Sequence, residues 1–159
     1  MIVVSDTTPL RYLAVLGHLD VLPRLFGSVH CPDMVIKECT HPRAPAVLRT
    51  WASAPPEWLK VAEVHEVEPD LAGTLDPGEA AAITLAMRLG AEVILIDERD
   101  GRRTAQARGF ATAGTLNILA QAGLRNWLDY HATVERLRAE TNFRATQVVT
   151  DAAWLAVQS

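Results

Sequence analysis

The chain has 159 residues, of which 49% are hydrophobic, and its formal net charge of -4 at pH 7 gives no indication of a nucleic-acid partner by itself. Its size and apolar content fit one globular domain with a full core, and its two cysteines are too few for a disulfide framework. Because no apolar run is long enough for a signal sequence or a membrane span, we expect a cytoplasmic protein that does not enter a membrane.

The first predicted element is a short apolar strand over residues 2–5, which stops at Asp6. Thr8 and Pro9 then predict a helix start, with Thr8 as the N-cap and Pro9 in the first turn. Short elements follow, with helices over 19–26, 33–39 and part of 41–56, and strands over 29–31 and 58–64. The last of these strands is predicted to lie at an edge of the sheet.

The clearest predicted helix begins at the run Asp76-Pro77-Gly78-Glu79 and ends at Gly90. A second buried strand covers residues 93–96 and stops at Asp97, as the first strand stops at Asp6. The remaining predicted elements are a helix over 101–108, a strand over 110–112, a helix over 115–122 stopped by Gly123, and two amphipathic helices over 129–140 and 146–157.

Strands that alternate with helices imply right-handed crossovers and parallel pairing. We therefore predict an α/β fold, a three-layer α/β/α sandwich with a central parallel sheet. It is predicted to be one domain over residues 1–159, with a core over 1–125 and closing helices over 126–159.

Acidic residues follow both buried strands, at the sheet edge where α/β proteins form ligand sites. Asp6 and Asp97 end these strands, Asp100 comes three residues later, and Glu79 lies in the first turn of the helix that leads back to the second strand. If the two strands are neighbours, these four carboxylates line one rim. We predict that they form the catalytic site.

Several carboxylates on one rim are unfavourable unless a cation lies between them. Two of them about 4 Å apart repel by roughly 4 kcal/mol at an effective dielectric constant of about 20. Oxygen ligands without a nearby histidine or thiolate favour Mg²⁺ or Mn²⁺ over zinc. Such an ion suits phosphodiester hydrolysis, because it activates water and neutralises charge on the phosphate.

Each acid also has a structural explanation. Asp76 and Glu79 have the spacing of a capping box, in which Glu79 satisfies helix amides. Asp100 precedes Gly101 and can cap the next helix, and Asp6 can support the start of the first helix. The predicted convergence of the acids, rather than any one of them, favours a metal site.

In order and spacing, these motifs resemble the PIN-domain family of metal-dependent ribonucleases, which includes the VapC-type toxins of toxin–antitoxin pairs. The resemblance covers residues 1 to about 125. The four matching motifs are Val-Val-Ser-Asp6-Thr-Thr8-Pro-Leu, Val-Ile-Lys-Glu38, Leu-Asp76-Pro-Gly-Glu79-Ala-Ala and Leu-Ile-Asp97-Glu-Arg-Asp100-Gly-Arg102. Many VapC toxins have aspartate where Glu79 stands, so the chain is more similar to a PIN branch with an Asp-x-Gly-Glu motif.

The resemblance implies an endoribonuclease that uses one or two Mg²⁺ or Mn²⁺ ions to hydrolyse RNA and leaves 5′-phosphate and 3′-hydroxyl ends. It implies five metal-binding carboxylates, namely Asp6, Glu38, Glu79, Asp97 and Asp100. Thr8 is expected to hydrogen-bond one of these carboxylates, or to act only as the helix cap. Arg11 and Arg102 lie near the predicted rim and are expected to bind the RNA backbone, although both also fit an ordinary solvated helix face.

The partners implied by the resemblance are an RNA substrate, a small antitoxin protein and a second copy of the chain. Apolar positions on the closing helices are candidates for the homodimer interface or for covering the sheet, namely Val134, Leu137, Val148 and Leu155. The competing function is a non-catalytic PIN-fold binding or regulatory module, against which the complete set of acids argues. A receiver domain would need a lysine after the last strand, and a dehalogenase-like phosphatase would need aspartate in place of Thr8.

Overall fold

Five parallel strands form the central sheet of the computed structural model, which describes residues 1–159. Their order in the sheet is β3-β2-β1-β4-β5. The strands are β1 (Val3–Ser5), β2 (Val29–Pro32), β3 (Leu59–Ala62), β4 (Val93–Leu95) and β5 (Ala111–Ala113). The predicted parallel sheet and the edge position of β3 are thereby confirmed.

Ten helices accompany the sheet. They are α1 (Thr7–Leu16), α2 (Val21–Phe26), α3 (Asp33–Cys39), α4 (Ala46–Ser53), α5 (Pro69–Ala72), α6 (Pro77–Leu89), α7 (Arg99–Ala107), α8 (Thr115–Leu124), α9 (Tyr130–Glu140) and α10 (Gln147–Ala156). The sequence did not predict α5, which has only one turn. No helix is long and apolar enough to span a lipid bilayer.

The sheet is covered on both faces, because successive side chains of each strand point to opposite sides. In β1, Val3 belongs to the core shared with α1, α8 and α9, whereas Val4 belongs to a second core shared with α6 and α7. Both valines are fully buried. This explains the unbroken apolar runs in the sequence and confirms the three-layer α/β/α sandwich.

Two helix starts differ from the predictions, and both differences matter for the site. Helix α1 begins at Thr7 with Asp6 as its N-cap residue, so the prediction that Thr8 caps this helix is wrong. Helix α7 begins at Arg99 after Glu98, which places Asp100 inside the first turn rather than at the cap. The side chain of Asp6 makes no capping hydrogen bond to α1.

Gly123 does not stop α8, because the helix continues to Leu124. A Cβ atom at this position would lie 3.0 Å from the Cζ3 atom of Trp154 and 3.0 Å from the Cβ atom of Tyr130. The glycine therefore lets the closing helices approach α8 closely. It marks tight packing inside a helix, not the end of one.

The closing helices pack against the core on the α1 and α8 side. Val134 and Leu137 of α9 are buried there, so their assignment to a dimer interface is wrong and their alternative role in covering the sheet is correct. Val148 and Leu155 of α10 are exposed, at 78% and 66%. Only α10 therefore offers an exposed apolar surface in this part of the chain.

Candidate active site

Asp6 and Asp97 follow the neighbouring strands β1 and β4, as the sequence predicted. The two strands pair in parallel with Ser5 opposite Leu95, and the backbone N–H of Asp6 donates to the carbonyl of Leu95 at 2.9 Å. Asp6 is 3% exposed. Parallel pairing thus brings two acids that are far apart in the sequence to one edge of the sheet.

Glu79 reaches the same edge from the first turn of α6 and is 5% exposed. The capping box is present, because the Glu79 N–H donates to Asp76 Oδ1 at 2.8 Å and the Asp76 N–H donates to Glu79 Oε1 at 3.3 Å. The other oxygen, Oε2, is buried and has no hydrogen-bond partner. Glu79 therefore serves the helix through Oε1 and leaves Oε2 available for a ligand.

Glu38 is brought to the acids by the packing of α3 against α6. The Thr7 hydroxyl donates to Glu38 Oε2 at 2.6 Å. The backbone N–H of Gly78 acts to lower the pKa of the Glu38 carboxyl, and a Cβ atom at Gly78 would overlap Oε1. The glycine is therefore required for the close approach of this carboxylate to α6.

Asp97 is held by Thr115 at the start of α8. The Thr115 N–H donates to Oδ1 at 2.8 Å, and the Thr115 hydroxyl donates to Oδ2 at 2.7 Å. Burial raises the pKa of Asp97, although the two Thr115 bonds and the Arg102 guanidinium each act to lower it. The carboxylate is therefore fixed in orientation before any ligand arrives.

The acids of this edge disfavour one another's charged forms. Burial raises the pKa of Asp6 well above its usual range, and Asp76, Glu79 and Glu38 add repulsion. Burial, followed by the charge of Asp76, raises the pKa of Glu79 to about 7. Burial also raises the pKa of Glu38. The group lacks the positive charge that would stabilise it in its ionised state.

The structure does not bring Asp100 into this group. Asp100 is exposed on α7, whereas the charge of the exposed residue Glu98 acts on both Glu79 and Asp97. Thr8 borders a depression with Asp97 and makes no side-chain hydrogen bond there, and the contact to a carboxylate comes from Thr7 instead. Helix α1 starts two residues earlier than predicted, and Thr7 rather than Thr8 supplies the bond to a carboxylate.

The two arginines predicted to bind substrate lie on opposite sides of the acids. Arg11 borders a depression of about 250 Å³ together with Thr7 and Glu38. Arg102 borders a depression of about 290 Å³ together with Asp97. The sequence did not predict roles for Thr7, Thr115 and Glu98. Thr115 was detectable in principle, since it follows the short strand β5 at the same edge of the sheet.

The donor set fits a hard divalent cation. It consists of carboxylate oxygens, and Glu79 Oε2 is a buried acceptor without a partner. No three His, Cys, Asp or Glu side chains lie close enough together to hold one ion between them.

We expect Gly78→Ala to displace Glu38 without unfolding the protein, because the new methyl group would occupy the place of Oε1. The apparent affinity for Mg²⁺ or Mn²⁺, measured from the thermal stabilisation that the ion gives, should fall about tenfold. A loss of this size is typical when groups that orient a metal site are removed. Thermal melts at increasing metal concentration measure this. Gly73→Ala is the matched control, since a Cβ atom there meets nothing within 4 Å. An unchanged metal response in Gly78→Ala would remove Glu38 from the site.

A family model described as a PIN domain matches residues 2–158 of the chain. No curated protein was found to match the sequence.

Proposed function

The chain belongs to the PIN-domain family, whose fold is of the nuclease type, and we propose that it is a metal-dependent endoribonuclease. The observation that carries the proposal is the buried, unpartnered Oε2 atom of Glu79, together with the burial and the neighbouring negative charges that raise the pKa values of Asp6 and Glu79. A cation would satisfy this atom and relieve the repulsion together.

We propose Mg²⁺ or Mn²⁺ as the cofactor, held chiefly by Asp6 and Glu79 with Glu38 and Asp97 on either side. Asp100 remains a proposed ligand, but Glu98 has the stronger claim because its charge already acts on Glu79 and Asp97. When bound, such an ion lowers the pKa of a coordinated water and neutralises charge on the phosphate.

The surrounding side chains orient this site and its substrate. Thr7 and Thr115 hold the carboxylates of Glu38 and Asp97. Arg11 and Arg102, on the two sides of the acids, are proposed to bind phosphates of the RNA, because guanidinium groups match phosphate geometry. These contacts would bring a polyanion to an acidic site that otherwise repels it.

Purified protein should cleave RNA in the presence of Mg²⁺ or Mn²⁺, and EDTA should abolish the reaction. Denaturing gels of single-stranded and hairpin RNAs measure cleavage, and a DNA of the same sequence tests the choice of nucleic acid. The products should carry 5′-phosphate ends, which a 5′-phosphate-dependent exonuclease detects. If neither cleavage nor metal-linked stabilisation appears, the non-catalytic binding module becomes the better description.

We further propose that the protein is the toxin of a type II toxin–antitoxin pair and acts as a homodimer. Induced expression should then arrest growth, and the product of a small neighbouring gene should relieve the arrest.

The exposed side chains of Val148 and Leu155 support self-association through α10. Size-exclusion chromatography that gives the mass of a single 17.4 kDa chain would contradict the dimer.

A further inference from the structure

The segment between α9 and α10, residues 141–146, is tied to α1 at the active-site edge. The Tyr12 hydroxyl donates to Asn142 Oδ1 at 2.9 Å. The Phe143 ring packs edge-on against the Tyr12 ring, with centroids 5.4 Å apart and an interplanar angle of 90°. One aromatic side chain of α1 thus fixes two consecutive residues of the segment, through a hydrogen bond and through ring packing.

The far end of the segment is fixed by α9. Arg138 donates to the carbonyl of Ala145 at 3.3 Å and to the Thr150 hydroxyl at 3.1 Å. Arg144 lies between the two anchored ends and is exposed. Its guanidinium has no hydrogen bond or ion pair in the protein, whereas Arg136 and Arg138 both pair with glutamates.

Arg144 stands beside the catalytic edge, where it borders two depressions of about 290 Å³ each. Asp97 borders both of them. Arg102 contributes to one, and Thr8 and Glu98 contribute to the other. Two guanidinium groups from distant parts of the chain, one on α7 and one before α10, therefore flank the same carboxylate.

We infer that Arg144 is a substrate-binding residue that binds a backbone phosphate of the RNA next to the bond cleaved near Asp97, and that Tyr12 positions it. This inference rests on the proposed nuclease function. The unpaired guanidinium matches phosphate in shape and charge. Because the segment is already ordered by Tyr12 and Arg138, little conformational entropy is lost when phosphate binds.

Arg144→Ala should raise KM for a fluorescent 12-nucleotide RNA about tenfold, with kcat changed by less than about twofold, because a contact to a neighbouring phosphate that does not itself react acts equally in the ground and transition states. Arg144→Lys should recover part of the loss. Equilibrium binding of the same RNA in EDTA, followed by fluorescence anisotropy between about 50 and 200 mM salt, should show a slope of log K against log salt smaller by about 0.7 for Arg144→Ala.

Arg125→Ala is the matched control. Arg125 lies near Met1 and Val93, at the opposite edge of the sheet from Asp97. This variant should leave both KM and the salt slope as in the wild type.

Tyr12→Phe separates positioning from general structure, because it keeps the ring against Phe143 and removes only the hydroxyl bond to Asn142. We expect KM to rise about threefold in the wild-type background and not to change in the Arg144→Ala background, since the effect acts through Arg144. A merely structural effect of Tyr12 would appear in both backgrounds.

The outcomes separate the two proposals. If the protein cleaves RNA but Arg144→Ala has the same KM and salt slope as the control, the role of Arg144 is overturned. The nuclease function then remains supported. RNA binding without cleavage overturns the nuclease function, and the salt slope then still decides the role of Arg144. A wild-type protein that neither binds nor cleaves RNA overturns both.

Discussion

Replacement of Asp97 by asparagine is expected to lower kcat for RNA hydrolysis by about 10³-fold or more, equivalent to roughly 4 kcal/mol of lost transition-state stabilisation. Asparagine has the size of aspartate and can keep both contacts to Thr115, accepting from its N–H and donating to its hydroxyl. The substitution therefore removes the charge and spares the local geometry. Since burial disfavours the ionised carboxylate, the fold should not lose stability at neutral pH.

The measurements are initial cleavage rates and thermal melts with and without Mn²⁺. Asp97→Asn should lose the stabilisation by metal together with cleavage, whereas Asp20→Asn, an exposed substitution before α2, should behave like the wild type. Asp100→Asn should lower activity by less than about tenfold, because the structure leaves Asp100 outside the group of acids. Full activity of Asp97→Asn would contradict the proposed catalytic site, and a severe loss in Asp100→Asn would restore Asp100 as a principal ligand.

The convergence of Asp6 and Asp97 was predictable because it depends on backbone topology. Parallel strands have their carboxyl ends at one edge, and apolar runs that stop at an aspartate mark those ends in the sequence. Glu79 was predictable for a similar reason, since its capping motif fixes it in the first turn of α6. Backbone rules thus locate an acid to within a few residues of the edge.

The contacts of individual side chains were not predictable in the same way. Whether Thr7 or Thr8 meets Glu38 depends on a shift of two residues in the start of α1, which is finer than local signals can resolve. Glu38 itself reaches the site through packing of α3 on α6, which no local pattern encodes. Arg144 lies beyond all four predicted motifs and borders the same depression as Asp97 in a segment that Tyr12 and Arg138 hold in place.

The raised pKa values predict that the metal-free protein loses stability as pH increases. The pKa of Glu79 rises from its ordinary value of 4.5 to about 7 in the folded state, through burial first and the charge of Asp76 second. The folded state therefore holds a proton on this group more tightly than the unfolded state does. Its contribution to the free energy of unfolding is full below about pH 4.5 and is lost as pH rises to about 7. Asp6, Glu38 and Asp97 shift in the same direction.

Glu79→Gln should remove the part of this loss that Glu79 contributes, and should abolish cleavage. The amide cannot ionise, and its Oε1 atom can still accept from the Asp76 N–H as in the capping box. At pH 8 in EDTA we expect the variant to be about 2 kcal/mol more stable than the wild type, after allowance for solvent screening, which corresponds to a Tm roughly 4–8 °C higher. At pH 4.5 the two proteins should differ much less in melting temperature, because Glu79 is then protonated in the folded state and already about half protonated in the unfolded state.

Thermal and urea unfolding from pH 4.5 to 8, with and without Mg²⁺, distinguish this explanation from a simple packing effect. Mg²⁺ should stabilise the wild type more at pH 8 than at pH 5, because the ionised carboxylates bind it, and should not stabilise Glu79→Gln. Glu57→Gln, which alters an exposed glutamate before β3, should retain the wild-type dependence on pH and metal. A Glu79→Gln protein that is less stable than the wild type at pH 8 would show that Glu79 serves the helix rather than a cation. If Glu79→Gln is instead more stable, the difference in the free energy of unfolding measures the stability that the wild type loses by burying a metal-binding carboxylate.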